Sequence, residues 1–394
     1  MFKKDFPYFN NTKTTYLDNA ATTQKPKSVI DSQVHYYTNY CANTHRSSFS
    51  EANKATVEFE NTRKTLQTFI NAKNSEEIIF TKGVTESINF VASSFAKEYK
   101  TVIISSLEHH SNIIPWHMQG RKLHDGLEVV ECKSDLSFDT EHFKSLLDKH
   151  PNSFVSITHI SNAFGVIHNI KTIIELSHKK NCVVMIDGAQ SLAHTSIDVQ
   201  DLDVDFFVIS AHKTFGPTGV GAIYAKEKYL HTLKPYQTGG ATIKSVDYGS
   251  SSFLDAPYKF EAGTQNIAGV VGFGKALEYL NHITYEEIKN QEKQMQMYLV
   301  KELSQIKDIE FYNDISTSIG SISFNIKGIL HDDIGILLSK MNIALRVGHH
   351  CAEPIMKKLG LRGTIRVSIA FYTSKDDIDT FITALKKAYE MLKG

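Results

Sequence analysis

RVGHHCAEP, residues 346–354, places one of only four cysteines in a 394-residue chain behind two histidines and ahead of a proline. A cysteine at the end of an apolar run is by default a small core residue. Here Gly348, the histidines and Pro354 make a polar, turn-prone setting that favours an accessible thiol at Cys351. A second group able to do chemistry is Lys213 in SAHKTFGPTGVG (210–221), three residues past an apolar run and inside a Gly- and Pro-rich loop. Most lysines are solvated surface charges. One apolar run earlier, MIDGAQS ends on Asp187, with Gln190 just beyond. Alone, such a carboxylate reads as a helix cap. A lysine and a carboxylate at neighbouring strand ends are together what pyridoxal phosphate needs, the amine for a Schiff base and the carboxylate to keep the ring nitrogen protonated.

Two more stretches fit that cofactor. FTKGVTES (80–87) runs from an apolar segment through Gly83 into a helix that begins near Thr85, and a helix amino terminus offers free N–H groups to a phosphate. Thr85 serves equally well as a simple cap. LEHHSNI (107–113) again follows an apolar run and puts His109 where it could stack on a ring, with His110 read as structural. A metal site at His349, His350 and Cys351 is disfavoured, since adjacent residues rarely converge on one ion, and no metal is expected.

The elements that must position these residues alternate between short apolar runs and helical patterns. IIF (78–80), TVIISS (101–106), FVSITHIS (154–161), CVVMID (182–187) and DFFVIS (205–210) predict strands of a mainly parallel sheet flanked by helices. Ligands of such sheets bind beyond the carboxyl ends of the strands. From about residue 275 the pattern changes. A helix over 285–306 starts at a capping box, Thr284 with Glu287. SISFNI, a helix near 332–341, IALRV, TIRVSIA and a helix at 375–392 complete a smaller α/β unit. The expected division is a large domain at 16–274 and a small one at 275–394, joined by residues 1–15. GVVGFGKA (269–276) has phosphate-loop spacing but offers Ala276 where Ser or Thr is needed, and no strand enters it. Its glycines are expected to let a helix pack closely.

Lys plus Arg and Asp plus Glu both total 43, and no basic run is present, so nucleic acid is not an expected partner. No stretch is long and apolar enough for a membrane span, and the scattered cysteines form no CxxC pair. A soluble, cytoplasmic protein with free thiols is expected.

Several stretches in order resemble one family: YLDNAAT (16–22), NTHRS (43–47), TESIN (85–89), EHHSNIIPW (108–116), HISNAFG (159–165), DGAQS (187–191), SAHKTFGPTGVG, FEAGTQN (260–266) and RVGHHCAEP. The chain is similar to class V, fold-type I pyridoxal-phosphate enzymes, and specifically to the SufS-type, group II cysteine desulfurases. The resemblance implies that Lys213 carries the cofactor, Asp187 faces its ring nitrogen, Gln190 its ring hydroxyl, and His109 stacks on the ring. Thr85, Ser210 and His212 correspond to phosphate contacts. Thr264 matches a phosphate ligand supplied by the neighbouring subunit, so a homodimer is implied. Asn162 and Arg366 match the groups that hold the substrate carboxylate, while Arg346 and His45 match further active-site positions. Gln265 and Phe215 stand where relatives often have proline and tyrosine.

The implied reaction is conversion of L-cysteine to L-alanine, with the sulfur held as a persulfide on Cys351 and passed to a SufE-like or SufU-like acceptor for iron-sulfur cluster assembly. Cys351 sits close to the strand LRV, with little slack to swing outward, so delivery is expected to need a partner that reaches in. A selenocysteine lyase or a plain class V aminotransferase would use the same lysine and aspartate, and a non-catalytic cofactor-binding scaffold is the third alternative.

Overall fold

The computed structural model describes residues 2–45 and 48–393, so Arg46 and Ser47 of the NTHRS stretch lie outside the described residues. An eight-stranded sheet runs in the order 78–81, 221–225, 206–210, 183–187, 154–158, 102–105, 126–130, 122–123. The six strands from Phe206–Ser210 to Lys122–Leu123 are mutually parallel. Gly221–Ala225 runs antiparallel to both of its neighbours, Ile78–Thr81 and Phe206–Ser210.

Alternate side chains of these strands enter opposite faces, as a pleated strand requires. Ile103, Val155, Ile157, Val184, Ile186, Phe207 and Ile209 join one core cluster with residues of helices Lys27–Asn39, Ser50–Phe69, Ile170–His178 and Ile267–Asn281. Val102, Ile104, Phe154, Val183, Met185, Phe206 and Val208 join the other with helix Val84–Ser94. Burial on both faces explains why these strands read as continuous apolar runs.

GVVGFGKA lies inside helix Ile267–Asn281 and forms no phosphate loop. A Cβ at Gly272 would come within 2.7 Å of Pro217, and one at Gly274 within 2.5 Å of Thr62. The missing side chains therefore let this helix press against helix Ser50–Phe69 and the loop after Lys213.

The carboxyl-terminal part forms a four-stranded sheet in the order 309–311, 321–326, 364–368, 346–348, antiparallel throughout. Helices Tyr285–Leu303, His331–Lys340 and Lys375–Lys393 cover it around Phe324, Val367, Leu299 and Phe381. The first of these begins at the expected capping box, with both reciprocal Thr284 and Glu287 bonds present. The amino-terminal segment ties in by pairing Thr15–Tyr16 with Ile343–Ala344, and Lys3 bonds Asp377 at 2.6 Å. A division at 274/275 would cut helix Ile267–Asn281, which packs on the large sheet's helices. We propose that the small unit begins after that helix and includes the amino-terminal segment.

Candidate active site

The carboxyl ends of the parallel strands converge on a cavity of about 790 Å³. Asp187 is the last residue of its strand and Ser210 of the next; a single helical turn, Ala211–Lys213, then carries Lys213 to the cavity. Strand Ile78–Thr81 delivers Gly83 and Thr85 to the same space, and strand Val102–Ser105 delivers His109. Gly83 has φ +152°, and a Cβ on Gly221 would come within 2.6 Å of its Cα. Only a glycine pair fits where the strand turns into helix Val84–Ser94. The small sheet contributes Arg346 and Arg366, and the turn after strand Arg346–Gly348 contributes Cys351.

All the catalytic, cofactor-binding and substrate-binding candidates read from the sequence line this cavity except Thr264 and His45. Those two share a separate recess with Gly240, Ala241 and Tyr258. The ring of His45 lies 3.4 Å from the Glu60 carboxylate.

Lys213 reaches the cavity from a desolvating wall, and that burial pulls its ammonium down to about 8 despite the attraction of Asp187. Asp187 is 3% exposed, and burial raises its carboxyl above the usual range. Among the described residues its side chain takes one hydrogen bond, from the Ala189 N–H at 2.9 Å. An N–H cation opposite it would restore the charged form. Gln190 donates from Nε2 to the Ala20 carbonyl at 2.8 Å.

His109 is held far below its ordinary value, at about 3, first by burial and then by Lys213. The imidazole is therefore neutral at ordinary pH. Its Nδ1 accepts the Ser111 N–H at 3.1 Å, which leaves the ring proton on Nε2. The Ser111 hydroxyl also lies 2.7 Å from Thr85 Oγ1, linking the histidine to the helix amino terminus. The first-turn N–H groups of that helix have no intrahelical acceptors, and Ser210 and His212 line the same cavity.

Arg366 is 1% exposed. Its Nη2 donates to Asp18 Oδ1 at 2.7 Å, its Nη1 to the Asn162 carbonyl at 3.0 Å, and its buried Nε has no partner among the described residues. Arg346 donates to the other oxygen of Asp18 at 3.1 Å. Asp18 thus aligns two cations, a role unassigned from the sequence although YLDNAAT contains it. Glu108 was likewise missed. It is 1% exposed, and its carboxylate accepts from Asn112 Nδ2 at 2.7 Å and the Thr158 N–H at 2.9 Å.

Cys351 is half-buried and faces the cavity. It has φ +55° and His350 has φ +52°, a left-handed region that non-glycine residues rarely adopt. His350 and Cys351 are held by neighbours: Asn162 Nδ2 donates to the His350 carbonyl at 2.7 Å, and the His350 ring meets Thr364 Oγ1 at 2.9 Å. Among the described residues no group of three or more His, Cys, Asp or Glu side chains is arranged to hold a metal ion.

A parallel sheet with a lysine, a carboxylate and a helix amino terminus at its carboxyl edge defines a fold-type I pyridoxal-phosphate enzyme, and the donor set fits that cofactor. The profile described as "Aminotransferase class-V" matches residues 15–381. A cysteine desulfurase of Pectobacterium carotovorum is 37% identical over 99% of this chain and 98% of that protein. A Synechococcus elongatus cysteine desulfurase is 39% identical over 98% of this chain, which spans 63% of that relative's length. Among solved structures, the apo cysteine desulfurase of Thermococcus onnurineus superposes with a TM-score of 0.93 at 34% identity, covering 100% of this chain and 97% of that one. Escherichia coli CsdA, a cysteine desulfurase solved in an S-sulfonic acid form, gives 0.90 at 33% identity over 99% and 98%. The chain belongs to the class V aminotransferase family, as an enzyme of the cysteine desulfurase kind.

Proposed function

We propose that this is a SufS-type, group II cysteine desulfurase that converts L-cysteine to L-alanine and holds the sulfur as a persulfide on Cys351. The observation that carries the reading is the cavity itself, which Cys351, Lys213 and Arg366 line together. Pyridoxal phosphate would be carried by Lys213, with Asp187 at the ring nitrogen, His109 on the ring face and Gln190 near the ring hydroxyl. Thr85, Ser210 and His212 would hold its phosphate. When bound, the cofactor supplies an electron sink for charge developing at the substrate Cα.

The chain's own groups do the rest. Arg366 and Asn162 hold the substrate carboxylate, with Arg346 beside them. With a value drawn down to about 8, the Lys213 amine is a competent base for the Cα proton near neutral pH. The Cys351 thiolate attacks the substrate sulfur, so an S–S bond forms as the Cβ–S bond breaks and its electron pair stays on carbon. The proton that Cys351 gives up on becoming a thiolate passes through His109 to the departing three-carbon fragment, so the imidazole starts and ends neutral. Cysteine plus the Cys351 thiol gives alanine plus the persulfide, a balance that needs no outside oxidant.

Thr264 and His45 do not line this chain's cavity, although Thr264 borders an adjoining pocket that shares Lys82, Glu86 and Gly219 with it; their place outside the cavity supports a homodimer in which each copy completes the other's site. The Cys351 loop is pinned, which supports a SufE-like or SufU-like acceptor that reaches in and passes sulfur on to iron-sulfur cluster assembly. No helix among the described residues is long and apolar enough to cross a membrane, in keeping with the cytoplasmic setting we propose.

The test is alanine and sulfide release from L-cysteine by wild type, Lys213→Ala and Cys351→Ala. The reading expects both variants to be inactive. Transamination surviving in Cys351→Ala, with no alanine released by wild type, would mark an aminotransferase instead. Selenocysteine turnover that outruns cysteine and survives Cys351→Ala would mark a selenocysteine lyase.

A further inference from the structure

His110 lines no part of the cavity, yet it touches the Cys351 loop twice. Its backbone N–H donates to the Cys351 carbonyl at 2.7 Å, and its ring Nε2 accepts the Glu353 N–H at 3.1 Å. The second bond requires a neutral ring with its proton on Nδ1. Burial and the neighbouring His349 both lower the His110 value, while Glu353 opposes them more weakly. The His349 ring lies beside it, 5.6 Å between centroids.

What these bonds hold is a conformation that would not hold itself. Gly348, His350 and Cys351 have φ +107°, +52° and +55°. A non-glycine residue is disfavoured there and persists only where surrounding contacts over-determine it. Asn162 and Thr364 restrain the His350 side of the loop. The Cys351 side is restrained by His110, which directly follows the ring-stacking candidate His109 and precedes Ser111, which fixes the His109 tautomer. One short stretch, EHHSN, thus sets the position of two cavity groups that lie more than two hundred residues apart in sequence.

We propose that His110 is a positioning residue that holds the Cys351 thiol toward the cavity by accepting the Glu353 N–H. This rests on the reading of Cys351 as the sulfur acceptor. A ring that cannot accept leaves the Glu353 N–H unpaired and lets the strained turn relax, which moves the thiol away from the substrate sulfur. Cofactor binding does not depend on this bond.

The experiment compares wild type, His110→Leu and His110→Gln in the full-length protein. Leu fills the space without an acceptor, whereas the Gln Oε1 reaches where Nε2 stood. Three quantities are read: single-turnover persulfide formation on Cys351 by mass spectrometry, the rate of Cys351 alkylation by iodoacetamide, and cofactor content after borohydride fixation. His110→Leu is expected to slow persulfide formation about tenfold or more and to raise the alkylation rate several-fold at unchanged cofactor content. His110→Gln should move both rates back toward wild type. Wild-type rates in His110→Leu, or no recovery in His110→Gln, would overturn the proposal, as would parallel loss of cofactor and persulfide. A wild type that forms no persulfide would instead refute the role of Cys351, and the alkylation rates would still decide whether His110 restrains the loop.

Discussion

Glu108 offers a prediction whose size follows from its surroundings. Its carboxyl stands behind His109, accepts from Asn112, Thr158 and the Ser105 hydroxyl, and is almost fully enclosed. Burial outweighs those donors and raises it from 4.5 to about 7, with the nearby Asp187 carboxylate adding to the rise. Between these two values the folded protein keeps a proton that the unfolded chain has lost. Stability contributed by the neutral carboxyl is therefore full below about pH 4.5 and is lost as pH rises through about 7. At about 1.4 kcal/mol per pH unit, the displacement is worth about 3 kcal/mol. Glu108→Gln keeps the shape and removes the titration. Urea unfolding of both proteins at about pH 5 and about pH 8 should show wild type losing about 3 kcal/mol more than the variant. Identical pH dependence in the two would mean that Glu108 is ionised in the folded state, and that its hydrogen-bond donors prevail over burial.

Asp187→Asn removes the only carboxylate placed to balance a ring N–H cation in this account, and should lower alanine release by about a hundredfold or more, measured on protein saturated with cofactor. Arg366→Lys keeps the charge but not the fork that spans Asp18 and the Asn162 carbonyl. A loss of about 10- to 100-fold in kcat/KM for L-cysteine, mostly through KM, is expected from steady-state kinetics. Glu261 accepts from Arg63 at 2.7 and 2.9 Å and from the Phe80 N–H at 2.7 Å in a buried pair at the start of the loop that carries Thr264. Glu261→Gln should cost about 2 kcal/mol in urea unfolding, because it weakens the charge-assisted bonds to Arg63 and leaves Glu60, 2.9 Å from Arg63 Nε, as the one carboxylate among the described residues balancing that buried charge.

The groups legible in the sequence are those whose neighbours in space are also neighbours in the chain. Asp187, Ser210 and Lys213 follow apolar runs buried on both faces of a sheet, so a one-dimensional pattern reports both the strand and its functional end. The Thr284–Glu287 capping box was readable for the same reason. Asp18 was not, because Arg346 and Arg366 meet it from 328 and 348 residues away. Strand Gly126–Val130 was hidden by Glu128, whose charge interrupts an otherwise apolar run; the fold answers that charge with His124 and His150, each at 3.1 Å. The antiparallel direction of Gly221–Ala225 left no trace either, since a doubly buried strand has the same composition in both directions. Turn-forming residues around Cys351 did signal an accessible thiol. The left-handed backbone at His350 and Cys351 themselves is imposed by tertiary hydrogen bonds that no local pattern encodes.

The central claim is that sulfur passes from substrate to one thiol. Mass spectrometry of the peptide containing residue 351, taken after L-cysteine is added and before any reductant, tests it most directly. The account predicts a mass increase of one sulfur atom on that peptide in wild type and none in Lys213→Ala. An unmodified peptide in an enzyme that is releasing alanine at its full rate would contradict it.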